Sequence, residues 1–210
     1  MKHIGVFGGS FDPPHLGHKA LVEMALASEC FDEIWVMPAG VPVHRQLTKS
    51  ISAERRLAWV TAMFDGMEKI IVKDWEVGSL EPVPSIISMR KIAAMHVLPC
   101  WLMGMDAWQG LPNWVAYPEH RKLCNVAVFR RLGIDGHKLN DWQSISDERF
   151  RNMHTTGHVC FMDGQLPYIS ATVLRKKMRL GEDVSDMLDA CVAKDIQAAY
   201  AKVSDIEENV

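Results

Sequence analysis

The 210-residue chain has almost no charge imbalance: 23 Lys and Arg face 26 Asp and Glu, a formal net charge of -3 at pH 7. No long-range field gathers nucleic acid or an anionic membrane surface, so any anion site has to be built locally. No two cysteines stand in C-x-x-C spacing. The five present (Cys30, Cys100, Cys124, Cys160, Cys191) are odd in number and scattered. That pattern argues against a disulfide framework or a zinc knuckle and suits small apolar core residues. No apolar run is long enough to cross a bilayer, and the opening residues MKHIGVFGG pass directly into what reads as a core strand rather than a leader. A reduced cytoplasm is the expected compartment, with neither nucleic acid nor membrane as a partner. Also missing are two familiar phosphate fingerprints, G-x-x-x-x-G-K-[ST] and G-x-G-x-x-G, and any internal repeat or low-complexity tract.

What is present is an ordinary globular composition, 48% hydrophobic and 23% charged, in a length that suits one domain. Apolar runs at residues 3–7, 33–37, 69–75, 99–103, 125–129 and 159–162 read as strands. Helical spacing is seen over residues 16–28, 52–64 and 85–95, with Ser52 and Ser85 as candidate N-caps, and from Ser170 onward with a break near Gly181. This β-α-β-α order predicts an α/β, Rossmann-like, doubly wound and mostly parallel sheet with helices on both faces. A single domain is expected over residues 1–203, with an acidic, frayed tail at 204–210. Residues 133–157 read as irregular, either a flexible loop or a segment holding a short helix around 147–153.

The stretch GGSFDPPHLGH (residues 8–18) leaves a strand through glycines, turns at Pro13 and Pro14, and opens a helix. Such a turn aims backbone N–H groups and a helix N-terminus at one point, which favours a phosphate. Gly8 and Gly9 would let the backbone approach a ligand. His15 and His18, three apart, can face one point and donate to phosphate oxygens, with Gly17 removing a side chain between them. The plain alternative is a loop with two surface histidines. A metal site on Asp12, His15 and His18 is weaker, because no further ligand cluster accompanies it. The segment YISATVLR offers a second such point. Ser170 can cap a helix, Thr172 lies in its first turn, and Arg175 follows at i,i+3. Its alternative is a capped helix with a surface arginine.

Taken with their order, these segments resemble a known family. GGSFDPPHLGH resembles the G-[ST]-F-D-P-x-H-x-G-H signature of the nucleotidyltransferase superfamily, and within it the bacterial nicotinate-nucleotide adenylyltransferases. MPAGVPVHR (37–45) resembles their I-P-x-x-x-P-P-H-[KR] segment, and SAERRLAWV the stretch where an arginine opens the next helix. MGMDAWQGLPNW (103–114) resembles G-x-D-x-x-x-x-x-P-x-W, VFRRLG (128–133) resembles V-x-x-R-P-G, and YISATVLRKKM (168–178) resembles I-S-[SA]-T-x-[IL]-R. Six blocks in the same order are far more specific than any one.

The resemblance implies ATP lying along Gly8, Gly9, Ser10 and Phe11, its phosphates held by His15, His18, Ser170, Thr172 and Arg175, with Mg2+ assisting. A pyridine mononucleotide would be the acceptor, near His44 and Arg45, with Asp106 on a ribose and Trp114 stacked on the ring. No protein-held metal site and no general base are expected, since a phosphate nucleophile is already ionised at pH 7. Departures fall on the acceptor side. Val43 replaces a proline, Ser85-Ile86-Ile87 stands where Ser-Tyr-Thr is usual, and Val115 replaces an aromatic residue. Nicotinamide mononucleotide, phosphopantetheine or cytidylyl transfer, and a non-catalytic nucleotide sensor therefore stay as alternatives. A class I aminoacyl-tRNA synthetase is disfavoured by length and by the lack of a K-M-S-K-S partner. The oligomeric state is open.

Overall fold

The computed structural model describes residues 1–42, 51–131 and 139–207. In chain order it holds β1 (His3–Gly9), α1 (Leu16–Ala27), β2 (Glu33–Pro38), α2 (Ala53–Met63), β3 (Ile70–Val72), α3 (Ser85–Ala93) and β4 (Leu98–Gly104). There follow α4 (Met105–Gly110), β5 (Asn125–Arg131), β6 (Gln143–Ser144), α5 (Asp147–Arg151), β7 (His158–Leu166), α6 (Ala171–Arg179) and α7 (Ala193–Glu207). Short 3-10 turns at Leu111–Asn113 and Glu119–Lys122 link α4 to β5.

The seven strands form one sheet in the order β3-β2-β1-β4-β5-β7-β6, and every neighbouring pair is parallel. Parallel strands are covered on both faces, so their side chains divide alternately between two cores. Phe7, Ile34, Val36, Leu102 and Phe129 enter one core with residues of α1, α2, α6 and α7. Ile4, Val6, Trp35, Met37, Trp101 and Val128 enter the other with residues of α3 and α4. The strand order reverses between β1 and β4. A crevice outside the C-terminal ends of these strands is where ligands bind in such sheets.

The doubly wound parallel sheet is the expected one, and most boundaries shift by a residue or two. Ser52 caps α2 as read, its Oγ accepting from the Arg55 N–H at 3.2 Å. Ser85 does not cap α3: Pro84 takes the cap position and Ser85 is the first helical residue. β3 stops at Val72, because the chain bonds from Lys73 N to Val36 O (2.8 Å) and then turns, Val77 N reaching Asp74 O at 3.0 Å. Trp75 thus sits beyond the strand, under the Lys91 ammonium at 3.8 Å. Within the region read as irregular, β6 was not foreseen and α5 lies where a short helix was expected. α6 ends before Gly181, whose φ of 68° is the left-handed value that closes a helix. α7 continues to Glu207, into the acidic stretch.

Candidate active site

β1 delivers Gly8 and Gly9 to the crevice, and the following turn carries Phe11 at a φ of 46° and a cis Asp12–Pro13 bond before His15 takes the cap position of α1. His15 and His18 do face one point: their rings stack with centroids 3.6 Å apart and planes at 22°. The His15 backbone N–H donates to His18 Nδ1 at 3.1 Å. With Nδ1 accepting, the neutral ring of His18 carries its proton on Nε2, which is thereby fixed as a donor. A Cβ on Gly17 would lie 3.0 Å from two atoms of the His15 ring and 3.5 Å from the Ile169 side chain. The missing side chain makes room for the His15 ring where the first block meets the second, Ile169 standing at ordinary contact distance.

That meeting encloses a strongly polar cavity of about 180 Å³ lined by Ser10, Asp12, His15, His18, Asp106, Ile169, Ser170, Ala171 and Thr172. Ser170 holds the cap position of α6, but its side chain makes no capping bond, contrary to the sequence reading. Arg175 stands beside the cavity, its guanidinium donating to the Asp12 carbonyl (2.6 Å) and to Thr172 Oγ1 (3.3 Å). It ties the two blocks together. Asp106, in the first turn of α4, lines this polar cavity rather than the aromatic one described next.

A second cavity, about 280 Å³ and largely apolar, opens along the same strand end. Its walls include Gly8, Gly9, Ser10, Glu76, Ser85, Trp101, Trp114 and Val115. Trp114 packs edge-on against Trp101, with centroids 6.2 Å apart at 84°. The glycines serve this wall as much as a ligand. A Cβ on Gly8 would sit 2.8 Å from the Trp101 ring, and one on Gly9 would meet the Phe11 ring at 3.3 Å. The backbone approach expected at Gly8 and Gly9 is thus partly an approach to aromatic side chains. Of the two isoleucines in place of Tyr-Thr, Ile86 is buried and Ile87 is half exposed; the cavity is touched by Ser85 instead. His44, Arg45 and Val43 lie outside the described residues.

Three neighbours of the site, Arg56, Gly40 and Glu76, carry no sign of their place in the motifs, and a fourth, Asp12, suggested only a weak metal ligand. Arg56 is fully buried, and its guanidinium donates to the carbonyls of Ser10 (2.5 Å), Ala39 (2.7 Å) and Gly40 (2.7 Å). It clamps the β1 exit to the β2 exit. A Cβ on Gly40 would lie 2.1 Å from the Glu76 carbonyl oxygen, so only glycine permits this approach. Asp12 is buried and accepts from the Tyr200 hydroxyl of α7, with Arg175 3.8 Å from its other oxygen. Glu76 is buried in the aromatic cavity; desolvation pushes its carboxyl above the ordinary value, and the Ser88 hydroxyl donating at 2.6 Å pulls the other way. One signal was available for Arg56: it shares the buried stripe of α2 with Trp59, Val60 and Met63 at helical spacing.

The cytidylyltransferase-like family model matches residues 6–177. The chain belongs to this family. Among its curated relatives, the probable nicotinate-nucleotide adenylyltransferase of Albidiferax ferrireducens is 32% identical over 92% of this chain and 94% of its own. That of Pseudomonas fluorescens is 30% identical over 94% and 95%. The chain thus falls among the nicotinate-nucleotide adenylyltransferases, as the six sequence blocks implied. Its fold is similar to that of the Plasmodium falciparum nicotinic acid mononucleotide adenylyltransferase complexed with NaAD, with a TM-score of 0.72 at 19% identity over 92% of this chain and 96% of that one. A putative nicotinate-nucleotide adenylyltransferase from Vibrio parahaemolyticus gives 0.60 at 18% identity, over 95% and 96%. No helix among the described residues is long and apolar enough to cross a membrane.

Proposed function

We propose that the chain transfers AMP from ATP to the 5′-phosphate of nicotinate mononucleotide, forming the dinucleotide and releasing pyrophosphate in NAD biosynthesis. The observation that carries this reading is that Ser10 lines both cavities, so a phosphate-sized polar site and an aromatic site meet at the end of β1. The relatives' names supply the substrate pair, and the geometry suits it.

In this reading a phosphate oxygen of the acceptor attacks the α-phosphorus of ATP, and the bond from that phosphorus to the β-bridging oxygen breaks. Pyrophosphate takes the electron pair. The attacking oxygen is ionised, so no proton has to be removed, and the work is positioning and stabilising charge. His18 Nε2 donates to the phosphates, with the stacked His15 beside it. Ser170 and Thr172 offer hydroxyls to the same cavity, at the N-terminal end of α6, where the helix dipole favours negative charge. Arg56 and Arg175 hold the carbonyls of Ser10 and Asp12, so the loop keeps its shape as substrate enters. Mg2+, when bound, supplies charge neutralisation on the triphosphate. Asp12 and Asp106, both in the lining of this cavity, would suit an ion shared with phosphate oxygens rather than a protein cage. Trp114 and Trp101 offer aromatic faces and edges to the pyridine ring.

A second reading, nicotinamide mononucleotide as acceptor, is favoured by one feature: the buried Glu76 carboxyl lines the aromatic cavity and suits a neutral amide better than a carboxylate. Pyrophosphate release from ATP with each mononucleotide in parallel tests both. Release with the nicotinate form supports the proposal, and release with neither overturns it.

A further inference from the structure

His120 is a buried imidazole that the reaction scheme leaves without a task. It sits in the 3-10 turn before β5, fully enclosed, and burial pushes its pKa below the ordinary histidine value. Two neighbours make its position informative. Its Nε2 lies 3.3 Å from Ser85 Oγ, and its ring packs edge-on to Trp114 with centroids 5.9 Å apart. Ser85 and Trp114 both line the aromatic cavity. The turn itself is latched to α3 by two bonds from Arg90 to the Glu119 carboxylate, at 2.9 and 2.7 Å.

The other ring nitrogen decides the direction of the Ser85 bond. Among the described residues, His120 Nδ1 is buried with no hydrogen-bond partner. A buried N–H without an acceptor is rarer and costlier than a bare lone pair, so the single ring proton belongs on Nε2. Nε2–H then donates to Ser85 Oγ. The hydroxyl proton of Ser85 is left to point elsewhere, and the cavity is where it can find an acceptor. Ser85 is also the first residue of α3, where the helix dipole favours an anionic group.

We propose that His120 and Ser85 act as one specificity device: His120 fixes Ser85 so that its hydroxyl donates to the carboxylate on the acceptor's pyridine ring. The inference rests on the reading of the aromatic cavity as the acceptor site. His120 is the positioning residue and Ser85 the group that touches substrate. The device supplies a polar contact beside Ile86 and Ile87, which carry no polar side-chain atom. A carboxylate, with charge on its oxygens, gains more from such a donor than an amide carbonyl does.

The test compares wild type, Ser85→Ala, His120→Leu and the double variant in pyrophosphate release, with each mononucleotide and with ATP varied separately. Ser85→Ala should raise KM for nicotinate mononucleotide about tenfold, a charge-assisted bond's share. KM for nicotinamide mononucleotide should rise less, and KM for ATP should stay within twofold. His120→Leu should reproduce most of that loss, and the double variant should lose no more than Ser85→Ala alone. A merely structural histidine would instead give losses that multiply and that reach ATP. Should His120→Leu fail to fold, Ser85→Ala decides alone: an unchanged nicotinate KM overturns the proposal. Wild-type protein active on neither mononucleotide overturns the functional reading and this proposal with it; active wild type with unaffected variants overturns only the proposal.

Discussion

The polar cavity proposed to hold phosphates and the aromatic cavity share Ser10 but are built in opposite ways. The first comes almost wholly from two contiguous segments, residues 10–18 and 169–172, each a turn running into a helix N-terminus, with Asp106 added from α4. The second is assembled from the β1 end, β4, the approach to α3 and the turns after α4, and its walls are aromatic and apolar. Phosphate binding asks for backbone donors and short polar side chains in a fixed local conformation, which a few adjacent residues can encode. A ring pocket asks for bulk from several directions, so its identity is spread over the chain. The two differ in support as well. Arg56, Asp12, Tyr200 and Arg175 brace the phosphate loop through buried polar bonds, whereas Trp114 leans on Trp101 and His120 through ring contacts.

The sharpest way to separate the cavities is to remove a donor from the first. His18→Ala should lower kcat on the order of a hundredfold or more, the cost of losing one transition-state donor, in a protein with native circular dichroism. Near-normal turnover would return His18 to an ordinary loop histidine. Next in size is the brace. Arg56→Ala leaves the Ser10, Ala39 and Gly40 carbonyls without their shared donor and should cost about 3 kcal/mol, lowering Tm by roughly 10 °C. An unchanged melting curve would show that the clamp contributes nothing. On the other cavity, Trp114→Ala should raise the acceptor KM about tenfold and leave the ATP KM within twofold, since it removes ring contact alone. A shift confined to ATP would reverse the assignment of the two sites.

The smallest expected effect concerns the anchoring of α1, which carries His18. Burial pushes the Asp189 carboxyl up, but the Cys191 and Lys19 hydrogen bonds outweigh it and hold the group down at about 2. A carboxylate whose folded pKa is depressed stabilises the fold above its unfolded value and loses that contribution as pH falls through the folded one. The stability difference between wild type and Asp189→Asn should therefore be constant above about pH 5 and shrink between pH 4 and 2. A difference independent of pH across that window, read from melting curves, would remove the ion pair from the account.

The contrast between the cavities also marks what was legible in the sequence. Alternating apolar runs point to the doubly wound sheet, and His15, His18, Ser170 and Thr172, which line one cavity, could be grouped in advance because each pair is local. The spacing along α2 puts Arg56 on the buried stripe, but its partners, carbonyls from two other loops, are set by the tertiary fold and not by that spacing. Asp12 was read as a weak metal candidate because its partner, Tyr200, lies 188 residues away. The same holds for His120, which looks like a surface residue between Glu119 and Arg121 until the turn folds it under Trp114. Gly8 was readable as necessary but not for the whole reason, since the indole filling its space comes from β4.

The measurement closest to the central claim is pyrophosphate release from ATP and Mg2+ with nicotinate mononucleotide, run beside nicotinamide mononucleotide, with CTP replacing ATP as a control. Two cavities joined at Ser10 should give ATP-dependent release with nicotinate mononucleotide and formation of the matching dinucleotide. Release with neither mononucleotide, from folded protein that binds ATP, would contradict the account.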